Sequence, residues 1–254
     1  MVQKQKAVFN WSGGKDSALC LHKVLTLGEH SVSWLLTSVN EQYRRISMHG
    51  VRVELLDEQA SSIGIPLVKM LIPEMPDMKT YETIMKETLV RLKNSGTEVC
   101  VFGDIFLEDL RKYRENKLAE LNLNAVFPLW KISTHQLMRE FIELGFKATT
   151  VCVNDRFLDK SFVGRAIDDS FIKDLPDNVD PCGEYGEFHS FVYDGPLFKK
   201  PIEFEVGEIV HRKYLPTQQD GNSQYACNSS GSKPFDNGFW YCDLIPIAES
   251  GRSV

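Results

Sequence analysis

The residue types best suited to chemistry stand near the start of the chain: Ser12, Gly13, Gly14, Lys15, Asp16 and Ser17 follow the apolar run Ala7, Val8, Phe9 and precede a helical pattern. A glycine pair flanked by serines at a strand-to-helix turn lets backbone N–H groups crowd around an anion, and the start of the helix adds roughly half a positive charge. This is a phosphate cradle. Its spacing is not Gly-x-x-x-x-Gly-Lys-Ser/Thr, so the common nucleotide P-loop is excluded. Lys15 can meet phosphate oxygens as a mobile point charge. Asp16 is the candidate Mg²⁺ ligand, since that ion is held through one or two carboxylates plus phosphates.

A second group lies far along the chain, in Asp180, Pro181, Cys182, Gly183, Glu184, Tyr185, Gly186, Glu187, Phe188 and His189. Two glycines separated by two residues predict a turn that brings Glu184 and Glu187 to one cavity, where they could position an amine or ammonium and accept its proton. A solvated surface turn is the plainer reading of the same residues. Cys182 is a candidate nucleophile for sulfur transfer, but no partner cysteine or lowered pKa is visible, so a structural thiol is favoured. His49, after the second strand, could face a nucleotide, and His189 opens a later strand; a core or surface histidine fits each equally. Arg111, Tyr113 and Glu115 follow Gly103 and Asp104 on or near one helical face and could reach a substrate carboxylate, with a solvated helix surface as the default.

The elements that must position these residues follow from periodicity. Apolar strands are expected at 7–9, 33–39, 66–72 and 99–102. Between them Ala18, Leu21, Val24 and Leu25, then Val51, Leu55 and Ala60, then Tyr81, Ile84, Met85, Thr88, Leu89 and Leu92 recur at helical spacing, with Gly28, Gly64 and Gly96 as stops. Strands that are apolar throughout, alternating with helices, predict an α/β fold: a doubly wound parallel sheet covered on both faces. Ligands of such sheets sit at the carboxyl ends of the strands, which brings the phosphate loop, residues 38–40 with Ser38, and Gly103 with Asp104 into one site.

Beyond this the pattern loosens. A helix carrying Leu110, Tyr113, Leu118 and Leu121 is followed by an apolar stretch at 125–130, a helix capped by Thr134 and stopped by Gly145, and a strand at 148–153. Short strands at 188–193, 202–210 and 238–245 predict a smaller α+β second domain. The division is residues 1–124 for the loop-bearing domain, 125–247 for the second, and 248–254 as a flexible tail, with the Gln-, Asn- and Ser-rich stretch 216–238 as a flexible loop.

Composition bounds the class of partner. The chain has 254 residues and a net charge of −6, which argues against a broad nucleic-acid footprint. Its six cysteines, at 20, 100, 152, 182, 227 and 242, form no Cys-x-x-Cys pair and read as free thiols of a reducing compartment. No apolar run approaches the ~18 residues of a membrane span. A cytoplasmic protein is expected; a homo-oligomer stays open.

Together the motifs carry a resemblance. The loop at 12–17 is similar to the pyrophosphate loop of ATP pyrophosphatases. Gly103, Asp104 and Ile105 with Arg111 and Glu115, then Pro128, Leu129 and Trp130, Gly164 and Arg165 with Ile167 and Asp168, and Gly183, Glu184, Gly186, Glu187 and Phe188 with Asp194, Gly195 and Pro196 occur in an order that resembles the diphthine:ammonia ligase family. These are the N-type ATP pyrophosphatases of the adenine nucleotide alpha-hydrolase-like (HUP) fold.

The resemblance, over about residues 5–212, implies that ATP and Mg²⁺ adenylate a small or protein-borne carboxylate, releasing pyrophosphate, and that ammonia then displaces AMP. It implies Lys15, Asp16, Glu184 and Glu187 as catalytic residues. Ser12, Gly13, Gly14, Lys15, Asp16, Ser17, Ser38, His49, Gly103 and Asp104 would take the nucleotide, and Arg111, Tyr113, Glu115, Cys182, Gly183, Glu184, Gly186, Glu187 and His189 the substrate. Two departures narrow it. Members acting on diphthine often carry alanine where Asp104 stands, and eukaryotic members append C-terminal domains that this sequence does not show. The alternatives are an ATP-dependent tRNA-modifying enzyme with the same loop, and an adenine-nucleotide sensor without turnover.

Overall fold

The computed structural model describes residues 4–46, 49–213 and 238–247. The chain runs β1 (Gln5–Asn10), α1 (Lys15–Leu27), β2 (His30–Asn40), β3 (Arg45–Ile46), α2 (Val53–Ile63), β4 (Leu67–Ile72), α3 (Met78–Asn94), β5 (Val99–Val101), α4 (Glu108–Ala119) and β6 (Asn124–Val126). It continues through α5 (Thr134–Glu143), β7 (Lys147–Asn154), a 3₁₀ turn (Lys160–Phe162), α6 (Asp169–Asp174), β8 (Phe188–Asp194), β9 (Phe204–Lys213) and β10 (Gly238–Pro246).

Sheet A is parallel in the order β4, β2, β1, β5, β6, with β3 antiparallel against the tip of β2. The fold is therefore α/β with a mostly parallel main sheet, as expected. Its strands carry apolar side chains on both faces. Ala7, Phe9, Leu35, Val99 and Val101 pack with α1, α2 and α5 through Leu19, Leu21, Leu55, Leu56 and Phe141. Val8, Leu36 and Cys100 pack on the other side with Leu89 and Leu92 of α3 and Leu118 of α4. Each core needs its own layer of helices, which is why these strands read as unbroken apolar runs. Strand order reverses between β1 and β5, so the crevice outside their carboxyl ends is the switch point where doubly wound sheets take ligands.

Sheet B is antiparallel, in the order β8, β7, β10, β9. Two expectations shift here. A division after residue 124 cuts β6, which pairs with β5 and belongs to sheet A. Thr134 is the first residue of α5, not its cap; Ser133 holds the cap position and the Thr134 hydroxyl donates to Asp180 Oδ2 at 2.8 Å. The expected loop within 216–237 and the tail at 248–254 lie outside the described residues. Among the described residues no helix is long and apolar enough to cross a membrane.

The sheets are tied at one further point. Asp243 of β10 accepts from Arg45 Nη1 (2.8 Å), Arg52 Nη2 (2.7 Å) and Arg52 Nε (3.1 Å), and the two guanidinium groups hold its carboxyl down to about 2. Asp243→Asn leaves two cations facing one neutral amide. It should cost about 1–3 kcal/mol, less in high salt, read as a lowered Tm whose deficit shrinks with added NaCl.

Candidate functional site

The loop after β1 forms because β1 must hand over to α1 within four residues. Gly13 takes φ 77°, a left-handed conformation that favours glycine, and Gly14 caps the helix. Room is as restrictive as conformation. A Cβ on Gly13 would stand 2.8 Å from Gln59 Oε1, and one on Gly14 would stand 3.0 Å from His49 Cε1 and 3.1 Å from the Ser190 carbonyl. The serines lock the turn: Ser12 Oγ accepts from the Gly14 N–H at 3.3 Å and lies 3.1 Å from Ser17 Oγ, which donates to the Gly14 carbonyl at 2.9 Å.

The first hydrogen bond within α1 runs from Ala18 N–H to the Gly14 carbonyl, so the four preceding N–H groups have no helical partner. Ser12 takes that of Gly14 and Ser190 Oγ that of Lys15, at 3.1 Å. The N–H groups of Asp16 and Ser17 remain at the positive end of the helix, beside a lysine and a carboxylate. This donor set fits a magnesium-bound pyrophosphate group.

Lys15 is 3% exposed, with Nζ 2.7 Å from Asp16 Oδ2, hydrogen-bonded to the Cys182 carbonyl and 5.1 Å from the Phe188 ring centroid. Burial pulls its pKa down; the Asp16 carboxylate and the groups at Cys182 and Glu184 outweigh that and hold it above the ordinary value. Gly103, just beyond β5, lies against the start of α1, where a Cβ would stand 3.4 Å from the Asp16 carbonyl oxygen, an ordinary contact. Ser38, half-buried, lies near the carboxyl end of β2 opposite Met70 of β4.

The Gly-Glu turn reaches this crevice from the second sheet, and its two acids separate. Glu184 crosses to sheet A, where Oε1 accepts from the N–H groups of Ile105 (3.0 Å) and Phe106 (3.1 Å), just beyond β5. Burial raises its carboxyl from 4.5 to about 7, against the pull of those two N–H groups and with the help of the Asp16 and Asp104 charges.

Glu187 is 2% exposed and spends its oxygens on its own loop, accepting from Asp180 N–H (3.1 Å) and Tyr185 N–H (2.9 Å). The expectation of two acids directed to one cavity is corrected accordingly: the turn needs one carboxylate to satisfy its backbone and leaves the other to face the crevice. Gly183 and Gly186, at φ 65° and 85°, make the fold-back that allows this, and a Cβ on Gly183 would collide with the Phe188 carbonyl at 2.8 Å.

Other candidates are redirected. The Cys182 thiol is buried, reaches the Thr134 carbonyl at 3.6 Å and is pushed far up by burial, so the nucleophile reading does not hold; its carbonyl is the part that meets Lys15. His49 and His189 stack at 4.6 Å between centroids. Burial lowers His49 to about 4 and His189 well below its usual value, so both are neutral rings that wall the loop, with His49 Nδ1 3.2 Å from the Ser190 carbonyl.

On α4 the expected trio does not act together. Arg111 pairs with Glu115 at 2.8 Å and lies over Phe127 and Trp130. Tyr113, two positions on and so about 200° around the helix, turns to α3 and meets Glu82 Oε1 at 3.2 Å.

Sequence reasoning passed over Arg114, Ser190 and Gln59, and named Asp180 without giving it a role. Arg114 pairs with Asp104 (Nε to Oδ2 2.9 Å) in a charge contact that leaves both atoms without a hydrogen bond, and its guanidinium lies over Phe102. Burial raises the Asp104 carboxyl and Arg114 opposes the rise. Asp180 gathers Cys182 N–H, Glu184 N–H and the Thr134 hydroxyl. Ser190 serves Lys15, and Gln59 serves Gly13. Of the three passed over, Gln59 left a trace in the sequence, as a polar residue in the apolar stripe of α2 beside Leu55, Leu56 and Ala60.

Family models of the diphthamide synthase N-terminal domain and the diphthamide synthase C-terminal domain match residues 5–124 and 133–218. The chain is 26% identical over 226 residues to diphthine–ammonia ligase of Homo sapiens, spanning 78% of this chain and 82% of that protein. It is 27% identical over 223 residues to diphthine–ammonia ligase of Danio rerio, spanning 78% and 86%. The protein of the same name from Schizosaccharomyces pombe is 26% identical over 219 residues, 78% of this chain but 36% of that longer protein.

Proposed function

The chain belongs to the diphthamide synthase family, and from that premise we propose that it is an ATP-dependent ligase that adenylates a carboxylate and amidates it with ammonia. The observation that carries the reading is the meeting of two unlike groups at the switch point of sheet A. One is an anion cradle with the Lys15 and Asp16 pair, and the other is Glu184, half-buried with a carboxyl near 7.

A carboxylate repels nucleophiles. Its attack on the α-phosphate of ATP gives an acyl-adenylate, whose AMP is a good leaving group, and pyrophosphate. The N–H groups of Asp16 and Ser17 and the Lys15 ammonium suit the departing pyrophosphate, and Asp16 would hold the magnesium ion that neutralises it. Lys15, already charged while buried, answers that negative charge without reorganising. Ammonia then attacks the acyl carbon. Glu184, once ionised, attracts ammonium into the crevice and takes one proton from it, which frees the ammonia that attacks; the second proton, released as the C–N bond forms, leaves with the AMP phosphate or to water. The neutral rings of His49 and His189 add shape there without competing charge.

The relatives are named for diphthine, a carboxylate carried on a protein, and that is the acceptor class we propose first. The test is release of AMP and pyrophosphate from Mg-ATP with ammonium, across free carboxylate metabolites and a diphthine-bearing protein. Release that requires one carboxylate, with an amide as product, is expected. ADP and phosphate as products overturn the mechanism, and nucleotide binding without turnover on any acceptor favours a sensor.

A further inference from the structure

Beyond its own serine contacts, the phosphate loop is held from outside. The Gly13 carbonyl, at the left-handed residue of the turn, accepts from the Val192 N–H of β8 at 2.9 Å and from Gln59 Nε2 at 3.1 Å. The same Nε2 donates to the Val192 carbonyl at 2.6 Å, and Gln59 Oε1 accepts from Trp11 Nε1 at 2.9 Å. Gln59 is fully buried. One side-chain amide thus joins the end of β1, the turn itself and the outer strand of sheet B. Because β8 is the outer strand of that sheet, Gly13 fills part of an edge on which no other strand pairs among the described residues.

We infer that Gln59 is the positioning residue of the phosphate loop, through which the second sheet keeps the Gly13 carbonyl away from the bound anion. The inference rests on the proposed function only in taking residues 12–17 as the phosphate site. An anion nest works when consecutive N–H groups converge and no carbonyl shares the concavity. A glycine at φ 77° is free to turn its peptide plane, because it lacks the Cβ that would fix it. Two donors on the one carbonyl remove that freedom. Gln59 holds one of them, and it also holds the other in place by anchoring Val192.

Buried polar residues are costly unless fully satisfied. An amide here, where a leucine would fill the same stripe of α2, is explained by the loop it holds. Gln59 is expected to affect phosphate binding and leave adenosine binding unchanged.

The test is equilibrium binding to the full chain of two probes: Mg²⁺ with an ATP analogue carrying a methylene bridge between the α- and β-phosphates, and adenosine alone. Gln59→Met keeps length and volume and removes the donors. The expected result is an analogue Kd raised about tenfold with the adenosine Kd within about twofold of wild type. Trp11→Phe, which removes one Gln59 contact without releasing Gly13, is expected to leave both within about twofold.

Should Gln59→Met not fold, Gln59→Glu carries the same thresholds, since it keeps the acceptor for Trp11 but cannot donate to Gly13 and Val192 together. Equal losses for both probes, or no loss for the analogue, overturn the inference. Wild-type protein that binds adenosine but gains nothing from the phosphates overturns the phosphate-site reading itself.

Discussion

Asp16→Asn is expected to slow carboxylate-dependent pyrophosphate release from Mg-ATP by roughly a hundred- to a thousandfold while the protein stays folded. The substitution keeps an acceptor for Lys15 Nζ, now 2.7 Å from Oδ2, and removes only the charge. Asp16→Ala would mix two effects, because it removes the hydrogen-bond acceptor of the buried ammonium together with the charge. In the asparagine variant the carboxylate proposed to hold magnesium is gone, and the Lys15 pKa is drawn down by burial with less to oppose it. In the proposed reaction the affected step is departure of pyrophosphate. Single-turnover release of ³²P-pyrophosphate, read beside a thermal melt, checks both parts. A folded variant turning over within about tenfold of wild type would remove Asp16 from the metal role.

Glu184→Gln is expected to separate the two half-reactions. Amide formation should fall about 10²–10³-fold, the usual scale for loss of a general base, while acceptor-dependent exchange of pyrophosphate into ATP stays within a few-fold. Gln presents a carbonyl to the same Ile105 and Phe106 N–H groups, so the local fold has a substitute acceptor. The pH profile carries the sign. Below about 7 the wild-type carboxyl is protonated and cannot take a proton from ammonium, so the wild-type rate of amide formation rises through that pH and the variant's lacks the limb.

Stability runs the other way. The folded-state pKa of Glu184 exceeds the unfolded one, so its contribution is full below about 4.5 and is lost as pH rises through about 7. Relative to Glu184→Gln, wild type should therefore lose up to about 3 kcal/mol between about pH 5 and pH 8, read as a converging or crossing pair of Tm curves. Parallel Tm curves with an unchanged pH limb would show that Glu184 is an ordinary carboxylate.

Much of sheet A was legible because each strand and helix carries its own period. The stripe of α1 and its stop at Gly28, observed at φ 66°, and that of α2 with Gly64 at φ 85°, are local properties of consecutive residues. What escaped was short or depended on distant partners. The two residues of β3 form a strand because β2 offers its tip, and the six of α6 are too few to show a period. On α4 the spacing offered Arg111 for a substrate carboxylate; in the structure Arg111 pairs with Glu115 and lies over Phe127 and Trp130, and it is Arg114 that meets Asp104.

By itself the sequence determined the loop, because glycine is the residue that tolerates a left-handed turn in so close a space, and a strand-to-helix turn must present N–H groups at its helical end. It determined that Glu184 and Glu187 sit on a glycine turn. Only the tertiary structure decided that Glu187 would be consumed by its own backbone and Glu184 would cross to Ile105 and Phe106, and that Lys15, 175 residues from Ser190, would donate its N–H to that serine. Those choices turn on which groups are buried together, and desolvation and charge pairing act through space, without regard to separation along the chain.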